Sequence, residues 1–380
     1  MVSHRRGGGL AIGVTEPNPH LIWSAGARPQ APPGFARARD QLAALHPDYL
    51  RVVVDWSTLQ PRPSAPPALA AGRDGCERGI GPCAPYAGLR DLFAAIASHP
   101  GLTPVVVIYG APAWAAVGPA GCERPGTLPR SRTLTPAGLA GYRTLIRSIL
   151  ALARATGLEL PWWSPWNEPN HPYFISPQRS RCNAHAPSDS PRYYARLVRA
   201  MRSELAADPQ PHQLVLGDLA GFTNPSPIAV GVGEFVAGLP DDVACASPVW
   251  AVHYGLARLA RRAEATVDQL ERALARRGCP ARARIWVTEA GAPTPRAPVA
   301  GAGDPVASCR ELAAVLAHWN ADPRVEAVFQ YTFREDPLFP IGLADTRLTR
   351  LYPAYGVWRA WGARSAADPV PAAGASAACA

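Results

Sequence analysis

Two glutamates lie in short motifs that combine aromatic, amide and small residues. Glu168 lies in the run WNEPN (166–170), and Glu289 lies in the run WVTEAG (286–291). Cleavage of a glycosidic bond needs one protonated carboxyl group that donates to the departing oxygen and one carboxylate that attacks carbon or activates water; in retaining enzymes the two are about 5–5.5 Å apart. Glu168 and Glu289 are therefore a candidate pair for this chemistry, provided that the fold brings them together.

Eight short apolar runs alternate with amphipathic segments and would position these glutamates. The runs cover 10–16, 49–57, 103–114, 162–170, 213–221, 248–255, 284–293 and 326–336. The segments between them place apolar residues three and four apart, which is typical of helices. Eight strands with intervening helices predict an α/β fold of the (β/α)8 barrel type. The alternative, an open doubly wound sheet, lacks the Gly-x-Gly-x-x-Gly motif after its first strand.

Each predicted strand ends in polar or aromatic residues. They are Glu16, Asp55, Trp56, Tyr109, Asn167, Glu168, Asp218, His253, Tyr254, Glu289 and Tyr331. Barrel active sites are built from the carboxyl ends of the strands, so Glu168 on the fourth strand and Glu289 on the seventh should face one mouth. Proline- and glycine-rich segments at 60–85, 116–134, 171–190 and 292–307 follow four of the strands. We expect these segments to form the walls of a cleft.

Aromatic residues near the strand ends are candidate sugar contacts, because aromatic rings can stack on the apolar faces of sugars. They are Trp56, Trp114, Trp166, Tyr173, Tyr331 and Phe339. The alternative is that they pack in the core. Packing is the expected role of Trp162, Trp250, Trp286, Trp319 and Trp358, which lie inside predicted strands or helices.

The composition limits the possible partners. The 380 residues carry a net charge of +9, and every one of the 38 basic side chains is an arginine, but these arginines are scattered and form no block typical of nucleic-acid binding. No apolar run approaches the roughly 20 residues of a membrane span. We expect a monomer with one domain over 1–362 and an Ala/Pro-rich, loosely ordered tail over 363–380.

The eight cysteines form no Cys-x-x-Cys or zinc-binding pattern, which favours disulfides and an oxidising, extracytoplasmic compartment. Their positions favour the pairs Cys76–Cys83, Cys122–Cys182 and Cys245–Cys279, which leaves Cys309 with Cys379, although connectivity does not follow from sequence alone. The first residues contain no hydrophobic signal region. An export signal would therefore have been removed, or the gene would start elsewhere.

The two glutamate motifs together resemble the retaining glycoside hydrolases of clan A, and are similar to those of family 39 or family 5. The resemblance implies that Glu168 is the acid/base, that Glu289 is the nucleophile, and that Asn167 holds the sugar 2-hydroxyl. Arg51, five residues before Trp56, is similar to the clan's arginine that supports the nucleophile, and it should lower the pKa of Glu289.

Two further positions match the clan less closely. His253 and Tyr254 resemble its His-x-Tyr motif, whose tyrosine contacts the nucleophile, although here the two residues are adjacent.

Crowding by Trp163, Trp166 and a facing carboxylate should raise the pKa of Glu168. The resemblance implies a secreted enzyme that acts on an oligo- or polysaccharide without a cofactor or metal.

Three alternatives remain open at this point. A transglycosylase would use the same residues with a sugar hydroxyl in place of water. A carbohydrate-binding barrel would have lost catalysis. A metal site could be formed by Glu16, Asp218, His253 and Asp336, but these residues lack a short-spaced ligand motif.

Overall fold

The computed structural model describes residues 9–22, 31–224, 226–253, 260–279, 282–297, 304–364 and 378–379. Tyr254 and most of the expected tail lie outside these residues, so the predictions made for them are not addressed by the structure. Among the described residues, no helix combines the length and apolarity that crossing a membrane requires.

The described residues contain one sheet of nine parallel strand segments. The strands are β1 (Ala11–Thr15), β2 (Tyr49–Asp55), β3 (Thr103–Tyr109), β4 (Trp162–Ser164), β5 (Gln213–Leu214), β6 (Leu216–Leu219), β7 (Val249–His253), β8 (Arg284–Ala290) and β9 (Val325–Tyr331). Their order in the sheet is β5-β4-β3-β2-β1-β9-β8-β7-β6. Because β5 and β6 are consecutive pieces of the fifth predicted strand, the two ends of this order meet.

The sheet therefore closes as an eight-stranded barrel, and the (β/α)8 prediction is confirmed. Val215, between β5 and β6, still donates its N–H to the carbonyl of Trp163 in β4 at 2.8 Å. The pairing of β6 with β7 shifts register between Gly217 and Leu219. The fifth strand is thus irregular where the sequence predicts one continuous run.

Helices surround the barrel. They are α1 (Ala36–Ala43), α2 (Trp56–Leu59), α3 (Gly88–Ala97), α4 (Pro136–Thr156), α5 (Ser190–Ala206), α6 (Val232–Ala237), α7 (Asp241–Ala244), α8 (Ala260–Arg277), α9 (Pro305–Ala321) and α10 (Ala354–Gly362). The longest, α4, follows the usual rules for helix ends. Thr135 accepts the N–H of Gly138 at 2.9 Å before a proline at the first turn, and Gly157 ends the helix with a φ of 69°.

Aromatic side chains fill the interior of the barrel near the amino ends of its strands. The Trp286 ring lies 4.9 Å from that of Tyr49 and 4.7 Å from that of Trp162 (centroid distances). The Phe329 ring packs directly against the backbone of Gly13, where a Cβ atom would lie 2.3 Å from the ring, so only glycine fits at this position. This packed floor leaves the carboxyl ends of the strands as the open end of the barrel.

The four predicted disulfides are present: Cys76–Cys83, Cys122–Cys182, Cys245–Cys279 and Cys309–Cys379. Cys122–Cys182 joins the segments after β3 and β4, on the side of the carboxyl ends. Cys309–Cys379 attaches the end of the chain to α9. The five tryptophans expected to pack, Trp162, Trp250, Trp286, Trp319 and Trp358, are all buried.

Candidate active site

Six polar side chains from five barrel strands meet at the carboxyl ends. They are Arg51 from β2, Asn167 and Glu168 directly after β4, Asp218 from β6, His253 from β7 and Glu289 from β8. Five of them were candidate site residues from the sequence. The barrel therefore brings together residues that are up to 238 positions apart in the chain.

Arg51 is the fixed cation of the cluster and is 1% exposed. Its Nη1 donates to Glu289 Oε1 at 2.6 Å, and its Nη2 donates to Asn167 Oδ1 at 2.5 Å. Nη2 also lies 3.6 Å from Asp218 Oδ2. A guanidinium group stays charged at any working pH, so Arg51 holds a permanent positive charge against Glu289 and fixes the orientation of the Asn167 amide.

His253 lies between three carboxylates. Its Nδ1 is 2.8 Å from Glu168 Oε1 and 3.5 Å from Glu289 Oε2, and its Nε2 is 3.4 Å from Asp218 Oδ1. Burial acts to lower the pKa of His253, but these three carboxylates outweigh it and raise the pKa to about 9. His253 is therefore a second buried cation at neutral pH.

Glu168 and Glu289 face each other across this imidazole. One carboxylate oxygen of each, together with a ring nitrogen of His253, lies within 4.8 Å of the others. Both side chains keep some access to solvent, with Glu168 18% and Glu289 12% exposed. Both carboxylates are therefore accessible to solvent.

The pKa shifts of the two glutamates run opposite to the sequence expectation, which is corrected here. Burial acts to raise the pKa of Glu168, but the hydrogen bond and charge of His253 outweigh it, and the pKa is lowered. Burial and the charge of Glu168 raise the pKa of Glu289 despite His253 and Arg51. His253 gives its hydrogen bond to Glu168 and not to Glu289, and the resulting charge on Glu168 adds to burial in raising the pKa of Glu289.

Asp218 is a central member of the cluster that sequence reasoning did not assign to it. The residue is 1% exposed. Burial acts to raise the pKa of Asp218, but Arg51 and His253 hold it well below its usual range. Asp218 is thus a counter-charge to both buried cations. In the sequence, only its position at the end of a predicted strand pointed to Asp218. That position was equally consistent with a metal ligand.

Unusual backbone conformations position Glu168 and Asp218. Their φ angles are 39° and 49°, in the left-handed region that is uncommon for residues other than glycine. The N–H of Glu168 donates to the carbonyl of Asp218 at 2.9 Å, which ties the two irregular segments together. Strain of about 1–3 kcal/mol per residue is typical of such positions and tends to occur at functional sites.

Two of the expected sugar contacts are wrong. Trp56 is 0% and Trp166 is 1% exposed, so neither ring has a face available to a ligand. Both pack outward against Tyr142 of α4, with ring centroids 6.2 Å away in each case. Trp166 is adjacent to Asn167, but only Asn167 reaches the cluster, where it contacts Arg51, whereas the Trp166 indole donates its N–H to the carbonyl of Phe174 at 2.9 Å.

Trp114 also packs in the helical shell. Its ring is half-buried, meets Trp56 edge to face at 5.6 Å, and donates its indole N–H to the carbonyl of Gln60 at 2.8 Å. A Cβ atom on Gly141 of α4 would lie 2.4 Å from this ring. These contacts belong to the layer between the barrel and α4, so they do not support the expected role of Trp114 in the cleft.

Tyr331 remains a candidate substrate contact. It ends β9 half-buried, and burial together with the charge of Glu289 raises its pKa well above the usual value. Its ring meets Phe339 edge to face at 5.3 Å. Tyr331 and Phe339 therefore lie on the Glu289 side of the mouth.

Glu168, His253 and Glu289 place two carboxylate oxygens and one imidazole nitrogen within 4.8 Å of one another, and such atoms can coordinate a metal ion. The Arg51 guanidinium, 2.6 Å from Glu289, makes the cluster unsuited to a further cation. Of the four residues considered from the sequence, Asp218 and His253 meet here. Glu16 instead accepts the backbone N–H groups of Asn18 and Arg334, and Asp336 pairs with Arg78 at 2.9 Å.

Comparisons with known proteins agree at the level of fold. No protein-family model matches the chain, and no curated protein matches its sequence. A family 39 glycoside hydrolase from Bacteroides cellulosilyticus WH2 has a similar structure, with a TM-score of 0.57 at 14% identity over 98% of this chain and 65% of that one. This chain thus spans just under two thirds of the length of that protein.

Two other solved structures share the barrel. The GH5_18 protein from Bifidobacterium longum subsp. longum gives a TM-score of 0.53 at 16% identity over 93% of this chain and 78% of that one. A family 30 subfamily 8 xylanase from Clostridium acetobutylicum gives a TM-score of 0.50 at 16% identity, over 93% of this chain and 70% of that one. At such identities the likeness establishes the fold, and the function has to be argued from the site.

Proposed function

We propose that the protein is a retaining glycoside hydrolase with Glu289 as nucleophile and Glu168 as acid/base. The observation that carries this proposal is the spacing of the two carboxylates, whose oxygens approach within 4.8 Å with His253 between them and Arg51 on Glu289. This spacing fits retaining enzymes, whereas inverting enzymes separate the two groups by about 6.5–9.5 Å to admit a water molecule.

In the first step an oxygen of Glu289 attacks the anomeric carbon. The bond from that carbon to the glycosidic oxygen breaks, and this oxygen takes a proton from Glu168, which leaves a glycosyl ester on Glu289. In the second step water gives a proton to Glu168 and attacks the same carbon, and the ester bond breaks to release the sugar and the Glu289 carboxylate.

The low pKa of Glu168 in the free site is compatible with this role through its contact with His253. The Nδ1 atom of His253 and Oε1 of Glu168 are 2.8 Å apart, so the pair can hold one proton between them. As the glycosidic oxygen gains negative charge, the shared proton passes to it through Glu168, which leaves the Glu168 carboxylate beside a neutral His253. In the second step the proton that water gives to Glu168 is again shared with His253. The raised pKa of His253 keeps this proton available at neutral pH.

Arg51 and Asn167 position the reacting groups. One hydrogen bond from Arg51 fixes the carboxylate of Glu289, and a second hydrogen bond from Arg51 is accepted by the amide oxygen of Asn167. The Asn167 amide nitrogen is then the group free to donate to a sugar hydroxyl. A hydrogen bond to the 2-hydroxyl contributes most in the transition state.

The four disulfides support an extracytoplasmic location. We propose that the protein is secreted or resides in the cell envelope, acts as a monomer, and cleaves an oligo- or polysaccharide that enters from the open end of the barrel.

The experiment is sugar release from plant, fungal and bacterial-envelope polysaccharides, with products identified by mass spectrometry and their first-formed anomer by NMR. Wild type should cleave at least one polysaccharide with retention, and Glu168→Gln and Glu289→Gln should fail on it. Equal behaviour of all three proteins, or an inverted product, would contradict the proposal. Predominant transfer to sugar hydroxyls would identify a transglycosylase.

A further inference from the structure

A patch of aromatic rings lies beside Glu168 at the mouth of the barrel. It consists of Tyr109 at the end of β3, His171, Tyr173 and Phe174 in the segment after β4, and Phe222 after β6. Each ring is at least partly exposed, and Tyr173 is 57% exposed. Large apolar side chains exposed to this degree are few in the described residues, the others being Leu128 and Leu338.

The rings form one continuous surface. His171 stacks on Phe222 with centroids 5.2 Å apart and planes 25° from parallel. Phe174 meets His171 at 5.9 Å, Tyr173 at 5.3 Å and Tyr109 at 5.8 Å, each close to edge to face. Three separate loops therefore contribute to the patch, and its rings hold each other in place.

The patch is attached to Glu168. The backbone N–H of His171 donates to the Glu168 carbonyl at 2.9 Å. Tyr331 and Phe339 accompany Glu289 instead. In the proposed reaction the acid/base protonates the departing oxygen, so surface next to Glu168 faces the part of the substrate that leaves.

His171 also gives the patch a polar donor. Its Nδ1 accepts the backbone N–H of Tyr173 at 3.0 Å, so a neutral imidazole carries its proton on Nε2. Burial lowers the pKa of His171 and so favours this neutral form. Within the part of the chain that the structure describes, no protein group accepts this proton. An apolar ring face next to one directed N–H donor suits a sugar ring, which has apolar faces and hydroxyl edges.

We propose that Tyr173, His171 and Phe222 bind the sugar ring on the leaving-group side of the cleaved bond. Tyr173 stacks on the ring, and His171 Nε2–H donates to one of its hydroxyl groups. The inference rests on the proposed function and adds to it that the leaving group is a saccharide. The protein should therefore act within or along saccharide chains and poorly on glycosides of small alcohols.

The test compares two kinds of substrate that share one glycon. Wild type, Tyr173→Ala and His171→Asn are assayed on xylotetraose, cellotetraose, mannotetraose and laminaritetraose, and on the glycosyl fluoride of whichever sugar wild type releases. Fluoride leaves without occupying the patch. Leu338→Ala, which removes a similarly exposed apolar side chain near Phe339, is the matched control.

Tyr173→Ala should lower kcat/KM on the cleaved tetrasaccharide roughly 5- to 10-fold, equivalent to the loss of one stacking contact, and change it less than twofold on the fluoride. His171→Asn should show the same selectivity. Equal losses on both substrates, or no loss on either, would overturn the inference while leaving the proposed function intact. If Glu289→Gln were as active as wild type, the proposed function itself would fail.

Discussion

The Nδ1 atom of His253 lies 2.8 Å from Oε1 of Glu168 and 3.5 Å from Oε2 of Glu289. A buried imidazole thus contacts both candidate catalytic carboxylates, and is closer to the proposed acid/base. This arrangement places a mobile proton beside Glu168 and the permanent charge of Arg51 beside Glu289.

Stability should depend on pH through His253. Its pKa in the folded protein is about 9, above the unfolded value of 6.5, so its stabilising contribution is complete below about pH 6.5 and is lost as the pH rises through 9. The contribution should be about 3 kcal/mol. Urea unfolding of wild type and His253→Gln at pH 6 and pH 9.5 measures it. The difference in unfolding free energy between the two proteins should shrink at pH 9.5, and a constant difference would argue against a buried imidazolium.

Activity of Glu168→Gln should depend on the leaving group. Loss of general acid catalysis typically costs about 10²- to 10⁴-fold, and we expect a loss of this size on an oligosaccharide. On a glycosyl fluoride, whose leaving group needs little protonation, the formation of the glycosyl ester should be far less affected. Pre-steady-state kinetics with both substrates tests this. Equal losses on the two substrates would mean that Glu168 does not protonate the departing oxygen.

Replacement of Asp218 should be unusually harmful. Asp218→Asn removes the carboxylate that faces both Arg51 and His253, and breaking a buried ion pair leaves uncompensated charge at a cost of about 3–5 kcal/mol. The alkaline limb of the kcat/KM profile should also move to lower pH, because His253 loses one of its counter-charges. Asp242→Asn, which breaks an exposed pair with Arg199, is the control and should change little. Matching effects of the two variants would refute a central role for Asp218.

The disulfides should differ in their contribution to stability. Cys122–Cys182 closes 60 residues and Cys76–Cys83 closes 7. If the main effect is on the entropy of the unfolded chain, the first should contribute about 4 kcal/mol and the second about 2 kcal/mol. Denaturant unfolding of the two double Cys→Ser variants measures the order. A larger loss for the 76/83 variant would contradict this entropic account.

The barrel and the candidate catalytic pair could be predicted from the sequence because both rest on local signals. Strand ends with polar residues repeat along the chain, and parallel strands in a closed barrel bring their carboxyl ends to one mouth. Glu168, Glu289, Asn167 and His253 follow from that reasoning, whereas Arg51, in the interior of β2, was predicted only from the family resemblance. Three of the disulfides follow similarly, since neighbouring loops carry their cysteines, whereas Cys309–Cys379 was only the pair that remained.

The features that could not be predicted from the sequence depend on the orientation of single side chains. Trp166 and Asn167 are adjacent, and only the folded chain decides which of them faces the mouth. Asp218 lies where the fifth strand loses its register, so strand periodicity does not predict its direction. The pKa order of Glu168 and Glu289 depends on how His253 divides its contacts between them, which no motif encodes.

The most direct test of the central claim is to trap the glycosyl-enzyme. The protein is treated with the 2-deoxy-2-fluoro glycosyl fluoride of the sugar that it releases, digested with trypsin, and analysed by mass spectrometry. We predict one label per protein, located on Glu289 in the peptide that covers 285–296, and none on Glu289→Gln. A label on Glu168, or turnover by wild type with an inverted product and no label, would contradict the assignment of Glu289 as nucleophile.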